Sequence, residues 1–436
     1  MIRAIRNYFT FLSRCARIAF IGDWRYYAWT AGLTIIVLLG LSAWCKQYAQ
    51  GLITTGMSDQ VSWGVYISNF TFIVGIAAAA AMLVIPAYIY NNEELHDLVI
   101  FGELLAVAAI LMCLAFVTVD LGRPDRFWHL IPGIGKFNFP HSMLAWDVIV
   151  LNGYLLLNVH ICGYLIYCRY SGRKPAKWFY IPFVFIAIVW AVSIHTVTAF
   201  LYVGLGGRHF WNSAIVGPRF LASAFTAGPA LIILALQIIR HVTAYRITDK
   251  ALFTLRGIVQ VSMLINVFLL LNEVFKEFYS KSKNISSSTY LFFGLEGHHA
   301  LVPWIWTAVT FNLIAMFLLI LPLTRSLRYL NVACVLAIVG IWIEKGMGLV
   351  VPGFIPTPLG EIVEYSPSLN ETLICLGIWA FGFLAYTVFL RMSVPILQGR
   401  LSKQGEAIPL EEVANGFRSE SRELLAASAF DKGPLK

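Results

Sequence analysis

The residues best suited to chemistry lie between Thr118 and Asp147. An apolar run ends at Asp120, and a short loop follows with Arg123, Asp125, Arg126, His129 and Lys136. A second apolar run then opens with His141 and Asp147 inside its first two turns. Charges at the border of a hydrophobic segment are ordinary. An aspartate two turns inside one is not, because an unpaired carboxylate is costly to bury. The chemistry such a group suggests is proton uptake and release.

Other ionisable residues interrupt later apolar runs, among them Glu103, His160, His195, Arg219, Glu273, Glu277 and Glu344. A lone buried histidine such as His160 reads as a packing residue with a local partner. The group of His141, Asp147, His195 and Arg219 reads differently, because the order of the segments places all four toward one side of a membrane. His141 and Asp147 are six apart and do not share a helix face as an i,i+4 pair would, but both can border one cleft. Titratable groups at one depth can bind a polar headgroup and exchange its protons. A quinone needs donors to two carbonyl oxygens and acceptors for the protons released when its quinol is oxidised.

The elements that must position these residues are membrane spans. The chain has 436 residues, 59% hydrophobic and only 13% charged, where a soluble domain carries about a quarter charged residues. Apolar segments fall at roughly 28–45, 64–90, 99–119, 143–168, 178–203, 220–240, 256–275, 301–322, 330–350 and 371–391. Each is near the ~20 residues needed to cross the hydrocarbon. The expected fold is all-α: one polytopic transmembrane helix bundle of about ten spans over 28–395. A basic, interfacial arm (1–27) precedes it and a cytoplasmic tail (396–436) follows. The first span reads as uncleaved.

Lys and Arg number 22 on the side of the two termini and 10 on the other. That bias puts both termini in the cytoplasm and the 121–140 loop outside. The acidic turn at 91–97 breaks the trend. The net charge of +9 is spread along these borders, so nucleic acid is not expected. The seven cysteines include no C-x-x-C pair, which argues against an iron–sulfur cluster or attached haem, and no metal site is expected. Gly75–Ala81 is a small-residue stretch suited to close helix packing. The glycine- and proline-rich 340–358 segment, with Glu344 and Lys345, suits a broken helix.

Several stretches together carry a resemblance. They are Ser62-Trp63-Gly64-Val65-Tyr66-Ile67, the run from Asp120 to Trp128, and Ser142-Met143-Leu144-Ala145-Trp146-Asp147. Later come His195 to Phe200, Arg208 to Asn212, Pro218 to Ala224 and Gly228-Pro229-Ala230. As a set, covering most of 60–230, they resemble the NrfD/PsrC family of membrane quinone-interacting subunits, with the length of its DsrP-like, HmcC/QrcD-like branch. The resemblance implies a subunit without its own redox centre that exchanges electrons between menaquinol or menaquinone and an extracytoplasmic iron–sulfur partner, in the cell (inner) membrane. It implies quinone contacts at Trp63, Tyr66, Asp120, Arg123 and Arg219, and proton acceptors at Asp147, His141 and His195. The implied partners are a ferredoxin-like DsrO-type protein, a multihaem cytochrome c (DsrJ-type), a haem b membrane subunit (DsrM-type) and a cytoplasmic iron–sulfur subunit (DsrK-type), besides membrane lipids. Two other classes use the same features: an ion or proton transporter, and a purely structural membrane anchor.

Overall fold

A computed structural model of the chain describes residues 2–243, 245–280 and 285–403. The end of the expected tail, from 404 onward, lies outside the described residues. Ten helices among them are long and apolar enough to cross a membrane. They are span 1 (Trp24–Gln50), span 2 (Val65–Ile89), span 3 (Val99–Asp120), span 4 (Met143–Tyr170), span 5 (Lys177–Val203) and span 6 (Val216–Val242). Span 7 (Asp249–Ser280), span 8 (Val302–Ile320), span 9 (Leu327–Phe354) and span 10 (Leu369–Leu397) complete the set. The protein is an all-α, multi-pass integral membrane protein, in keeping with the cell membrane. Span 1 starts a turn earlier than the sequence suggests, because Asp23 caps it by accepting the Tyr26 N–H.

The spans sort into two four-helix units. Spans 2–5 pack with one another, as do spans 6–9, and spans 1 and 10 form a pair laid against span 3. The units meet where span 2 packs on span 6, and the small-residue stretch makes this seam. A Cβ on Gly228 would stand 2.3 Å from the Ala79 methyl, so only glycine admits this approach. The polar side chain of Asn69 ties the units together. Its Oδ1 accepts from the indole N–H groups of Trp342 on span 9 (3.0 Å) and Trp379 on span 10 (2.9 Å).

Two interruptions match the local chemistry. Span 2 ends in a π turn at Ile85–Ile89 around Pro86, which cannot donate to the helix ladder. Span 9 is regular over Leu327–Lys345, breaks at Gly346, and continues as Met347–Val350 and a 3-10 turn at Val351–Phe354. The N-terminal arm is a helix, Ile2–Ala19. It buries Phe11, Cys15 and Ile18 against the ends of spans 4 and 10 and leaves Ile5, Phe9 and Leu12 exposed. The acidic 91–97 turn also gains an account. Glu94 accepts from Lys250 Nζ and Thr248 Oγ1, both at 2.7 Å, across to the start of span 7.

Candidate functional site

Every expected site residue lies at the end of the bundle that carries the 121–142 loop, and the site begins with a capping box. Ser368 Oγ accepts the Glu371 N–H, while Glu371 Oε2 accepts the N–H groups of Ser368 and Gly56, each at 2.7 Å. Glu371 Oε1 accepts from the Tyr365 hydroxyl (2.8 Å), which in turn accepts the Val65 N–H (2.9 Å). The Tyr365 ring occupies the place where a Cβ on Gly64 would be, 2.4 Å away. This clamp fixes the entry into span 2 and, with it, Trp63 and Tyr66.

Trp63 is half-buried in an aromatic cage. Its ring stacks on Trp211 at 5.7 Å and meets Tyr202 (5.7 Å) and Phe354 (5.8 Å) edge-on. Trp211 is fully buried because the break in span 9 makes room for it. Its indole N–H donates to Leu349 O (2.8 Å), a carbonyl of the broken segment, and its ring fills the place a Cβ on Gly353 would take. Tyr66 is also closed in, donating to Gln47 Oε1 (2.7 Å), and Gln47 Nε2 donates to Val119 O (2.7 Å). Asp120 is therefore not a loop residue. It ends span 3, and its Oδ1 is buried without a hydrogen-bond partner.

Asp147 sits about 6 Å into span 4, at 1.5 Å per residue, and is 2% exposed. Thr198 Oγ1 stands 3.2 Å from its Oδ1 but also donates to Ile194 O at 2.8 Å. One hydroxyl proton cannot fully serve both, so the Asp147 carboxyl has spare capacity to take up a proton. His195, one turn earlier on span 5, is 1% exposed, with Nδ1 3.0 Å from Ala191 O. A carbonyl only accepts, so Nδ1 carries the proton and Nε2 is left as a buried acceptor without a partner.

Three expectations change. His141 is exposed and lies before span 4, because Ser142 caps the helix and leaves the histidine in the turn. Arg123 turns outward into a two-bond pair with Asp125, both at 3.0 Å, and does not join Asp120. Arg219 leaves the Asp147 group altogether. It pairs with Glu273 and, at 2.6 Å, with Glu344, whose other oxygen accepts from Asn312 Nδ2 (2.6 Å). That network belongs to spans 6–9.

Lys345, buried beside it, holds its ammonium 3.7 Å from the centre of the Phe220 ring. Gln47, Asn69, Thr198, Tyr365, Glu371 and Asn312 carry no signal in the sequence as site residues, since each acquires its role from a partner far along the chain. The packing reading of His160 holds: its Nε2 lies 3.2 Å from Phe179 O. Arg208 packs its guanidinium over Phe354 at 4.7 Å. Among the described residues no three His, Cys, Asp or Glu side chains form a metal-holding group.

Comparison with known proteins follows this architecture. The family model described as polysulphide reductase, NrfD, matches residues 53–355. A putative membrane subunit of the dimethyl sulfoxide reductase of Halobacterium salinarum is 25% identical over 346 residues, spanning 75% of this chain and 77% of that protein. The Hdr-like menaquinol oxidoreductase integral membrane subunit of Archaeoglobus fulgidus is 23% identical over 385 residues (84% and 93%). One subunit of the selenate reductase of Mesobacillus selenatarsenatis is 22% identical over 414 residues (84% and 93%).

Proposed function

This chain belongs to the NrfD family of polytopic membrane oxidoreductase subunits, and from that premise we propose that it exchanges electrons and protons between menaquinol or menaquinone and an extracytoplasmic iron–sulfur partner. The carrying observation is a set of buried acceptors at one end of spans 2–5: His195 Nε2 and Asp120 Oδ1, left without partners, and the Asp147 carboxyl, served by one shared hydroxyl. Unpartnered acceptors inside a membrane protein are costly. They fit a headgroup whose hydroxyls donate to them. When bound, a quinone supplies the two-electron chemistry, which these side chains lack.

The residues of the chain then have distinct parts. His195 Nε2 accepts a hydrogen bond from a hydroxyl and is held in that tautomer by Ala191 O. Asp147 takes up a proton, with Thr198 Oγ1 fixing its orientation. Trp63 and its cage stand at the same end of the bundle, with Tyr66 on span 2 and Asp120 at the end of span 3. His141 and Arg123, exposed at the outer turn, belong to proton exit and not to the headgroup contact.

The basic bias places both termini in the cytoplasm and this end of the bundle outside. The arm (1–27), the membrane domain (28–395) and the tail (396–436) are then cytoplasmic, membrane-embedded and cytoplasmic. We place the chain in the DsrP-like branch, with DsrO-, DsrJ-, DsrM- and DsrK-type partners. A second reading, proton or ion translocation, is favoured by the broken span 9 with Glu344 and Lys345 buried beside the break.

Solvent extraction of the purified complex, together with oxidation of a water-soluble quinol analogue, tests the proposal. Retained quinone and quinol-dependent reduction of the iron–sulfur partner are expected. A complex that retains none and oxidises none overturns it and leaves the anchor role.

A further inference from the structure

Two faces of the N-terminal arm stay exposed among the described residues. Its helix, Ile2–Ala19, buries Phe11, Cys15 and Ile18 against the bundle. The Arg14 guanidinium ties it down, donating to the Tyr170 hydroxyl (3.5 Å) and Ser402 O (3.1 Å). We infer that the two remaining faces form a binding surface for anionic phospholipid. The arm lies in the membrane plane, with an apolar stripe in the acyl layer and an arginine stripe on the headgroup phosphates of the adjoining leaflet.

Helical spacing sorts the residues. Ile5, Phe9, Leu12 and Ala16 fall on one stripe, and Phe20 continues it just past the helix. Ile5, Phe9, Leu12 and Phe20 are 50%, 66%, 42% and 80% exposed. Arg6 and Arg17, both exposed, are separated by about three full turns and share a second stripe. That stripe borders the apolar one on the side away from the buried Phe11 and Ile18. The two arginines therefore point out from the bundle, not back into it. The height of the arm is also fixed. Arg391 of span 10 donates twice to Ile21 O (3.0 and 2.6 Å), and the Tyr26 hydroxyl of span 1 donates to Ala19 O (2.6 Å). The arm is held where span 1 meets the membrane surface.

Charge decides the occupant. The first acidic residue of the chain is Asp23, which caps span 1, so the arginines of the arm have no carboxylate beside them in sequence. The turn after span 4, on which the arm packs, adds Arg173, Lys174 and Lys177, all exposed. No acidic residue occurs between Asp147 and Asp249. Lipid phosphates supply the missing negative charge at this height, and a guanidinium fork matches phosphate oxygens in a two-bond geometry. The apolar stripe separates a membrane from an acidic protein. Large side chains exposed beside an arginine edge, at the level of the span ends, are the form of a helix that lies in the interface.

The probes are phosphatidylglycerol and phosphatidylcholine with identical acyl chains, offered together to the purified full-length chain in detergent. Native mass spectrometry reads which lipid is retained. Wild type should favour phosphatidylglycerol by roughly tenfold, and the preference should shrink as salt rises. Arg6→Gln combined with Arg17→Gln should cut that ratio by roughly fivefold; both side chains are exposed, so the fold has no need of them. Arg325→Gln combined with Arg328→Gln, exposed arginines between spans 8 and 9, should keep the wild-type ratio. No preference in wild type, or an undiminished one in the arm variant, overturns the inference. An equal loss in both double variants also overturns it, because the preference would then follow net charge and not the arm. Loss of a protein subunit from the purified complex of the arm variant, with the lipid ratio unchanged, would seat an acidic protein there instead and overturn the lipid.

Discussion

At the scale of single residues, what distinguishes Asp147 is its sparse set of donors. Glu371 and Glu344, buried as deeply, are fully engaged: Glu371 accepts three hydrogen bonds and Glu344 pairs with Arg219 and Asn312. Asp147 shares one hydroxyl with a backbone carbonyl. Asp147→Asn should therefore assemble, keep quinone bound and turn it over more slowly by the ~10²–10⁴ typical of lost acid–base catalysis. Turnover per assembled complex across pH 5–9 checks this, and a wild-type rate and profile would remove Asp147 from the mechanism. Glu344 should behave in the opposite way. Glu344→Leu leaves Arg219 under-compensated, and breaking a buried pair costs about 3–5 kcal/mol, so the thermal midpoint in detergent should fall steeply. Outside the membrane, burial pushes the Glu364 carboxyl up, but the Ala300 N–H, His298 and the Tyr290 hydroxyl outweigh it and hold the group below the usual carboxylate range. A carboxyl depressed in the folded state stabilises above its unfolded pKa and loses that contribution as pH falls through its folded pKa. Glu364→Gln should lower stability at neutral pH, leave it nearly unchanged at acid pH, and so flatten the acid limb of the melting profile.

At the scale of elements, the seam between the two units makes the sharpest demand. Asn69 is buried and accepts from two indoles on different spans. Asn69→Leu would strand both N–H donors, at about 1–3 kcal/mol each, and should lower the thermal midpoint without altering the Asp147 chemistry. Gly228→Val should do the same through the clash with Ala79. Melting curves of both variants, with quinol turnover measured at low temperature, check the separation. The spans themselves were legible in the sequence because twenty apolar residues in a row have few other fates. The break at Gly346 and the small-residue seam were legible for similar local reasons. The pairing of Arg219 was not. Its partners lie some fifty and more than a hundred residues away, and nothing in a single sequence says which buried carboxylate a buried arginine meets. His141 was misplaced for a local reason, since Ser142 captures the helix start one residue later. The aromatic cage was half legible: Trp63 and Trp211 stand out as residues, but their stacking depends on the broken end of span 9.

At the scale of the whole molecule, one end of the bundle concentrates both the buried polar groups and an unusual surface. In the 121–142 loop Phe127, Trp128, Ile134 and Phe139 are 64%, 43%, 67% and 45% exposed, with Arg126 exposed among them. Aromatic side chains with an arginine are the composition enriched at protein interfaces, and the loop follows span 3, which ends at Asp120. On the proposed function an electron partner must come close to the quinone, so the same loop is the seat we propose for the iron–sulfur protein. This requires the loop to face outward, the orientation proposed from the basic bias. Reporter fusions after Lys174 and Arg325 should read cytoplasmic, and a fusion at Gly133 should read outside. A cytoplasmic signal at Gly133 would put the docking face on the wrong side of the membrane. Within that orientation, Arg126→Glu tests the docking. Arg123 is already spent on Asp125 and Arg208 on Phe354, which leaves Arg126 as the loop arginine placed to meet a partner. Exposed charge pairs are screened over about 8 Å at physiological salt, so the variant should release the iron–sulfur protein at lower salt than wild type while the membrane chain itself stays intact. Co-purification across a salt series reads this directly. Retention that is identical at every salt concentration would mean that Arg126 only packs the loop, and that the partner is held by the exposed aromatic side chains alone.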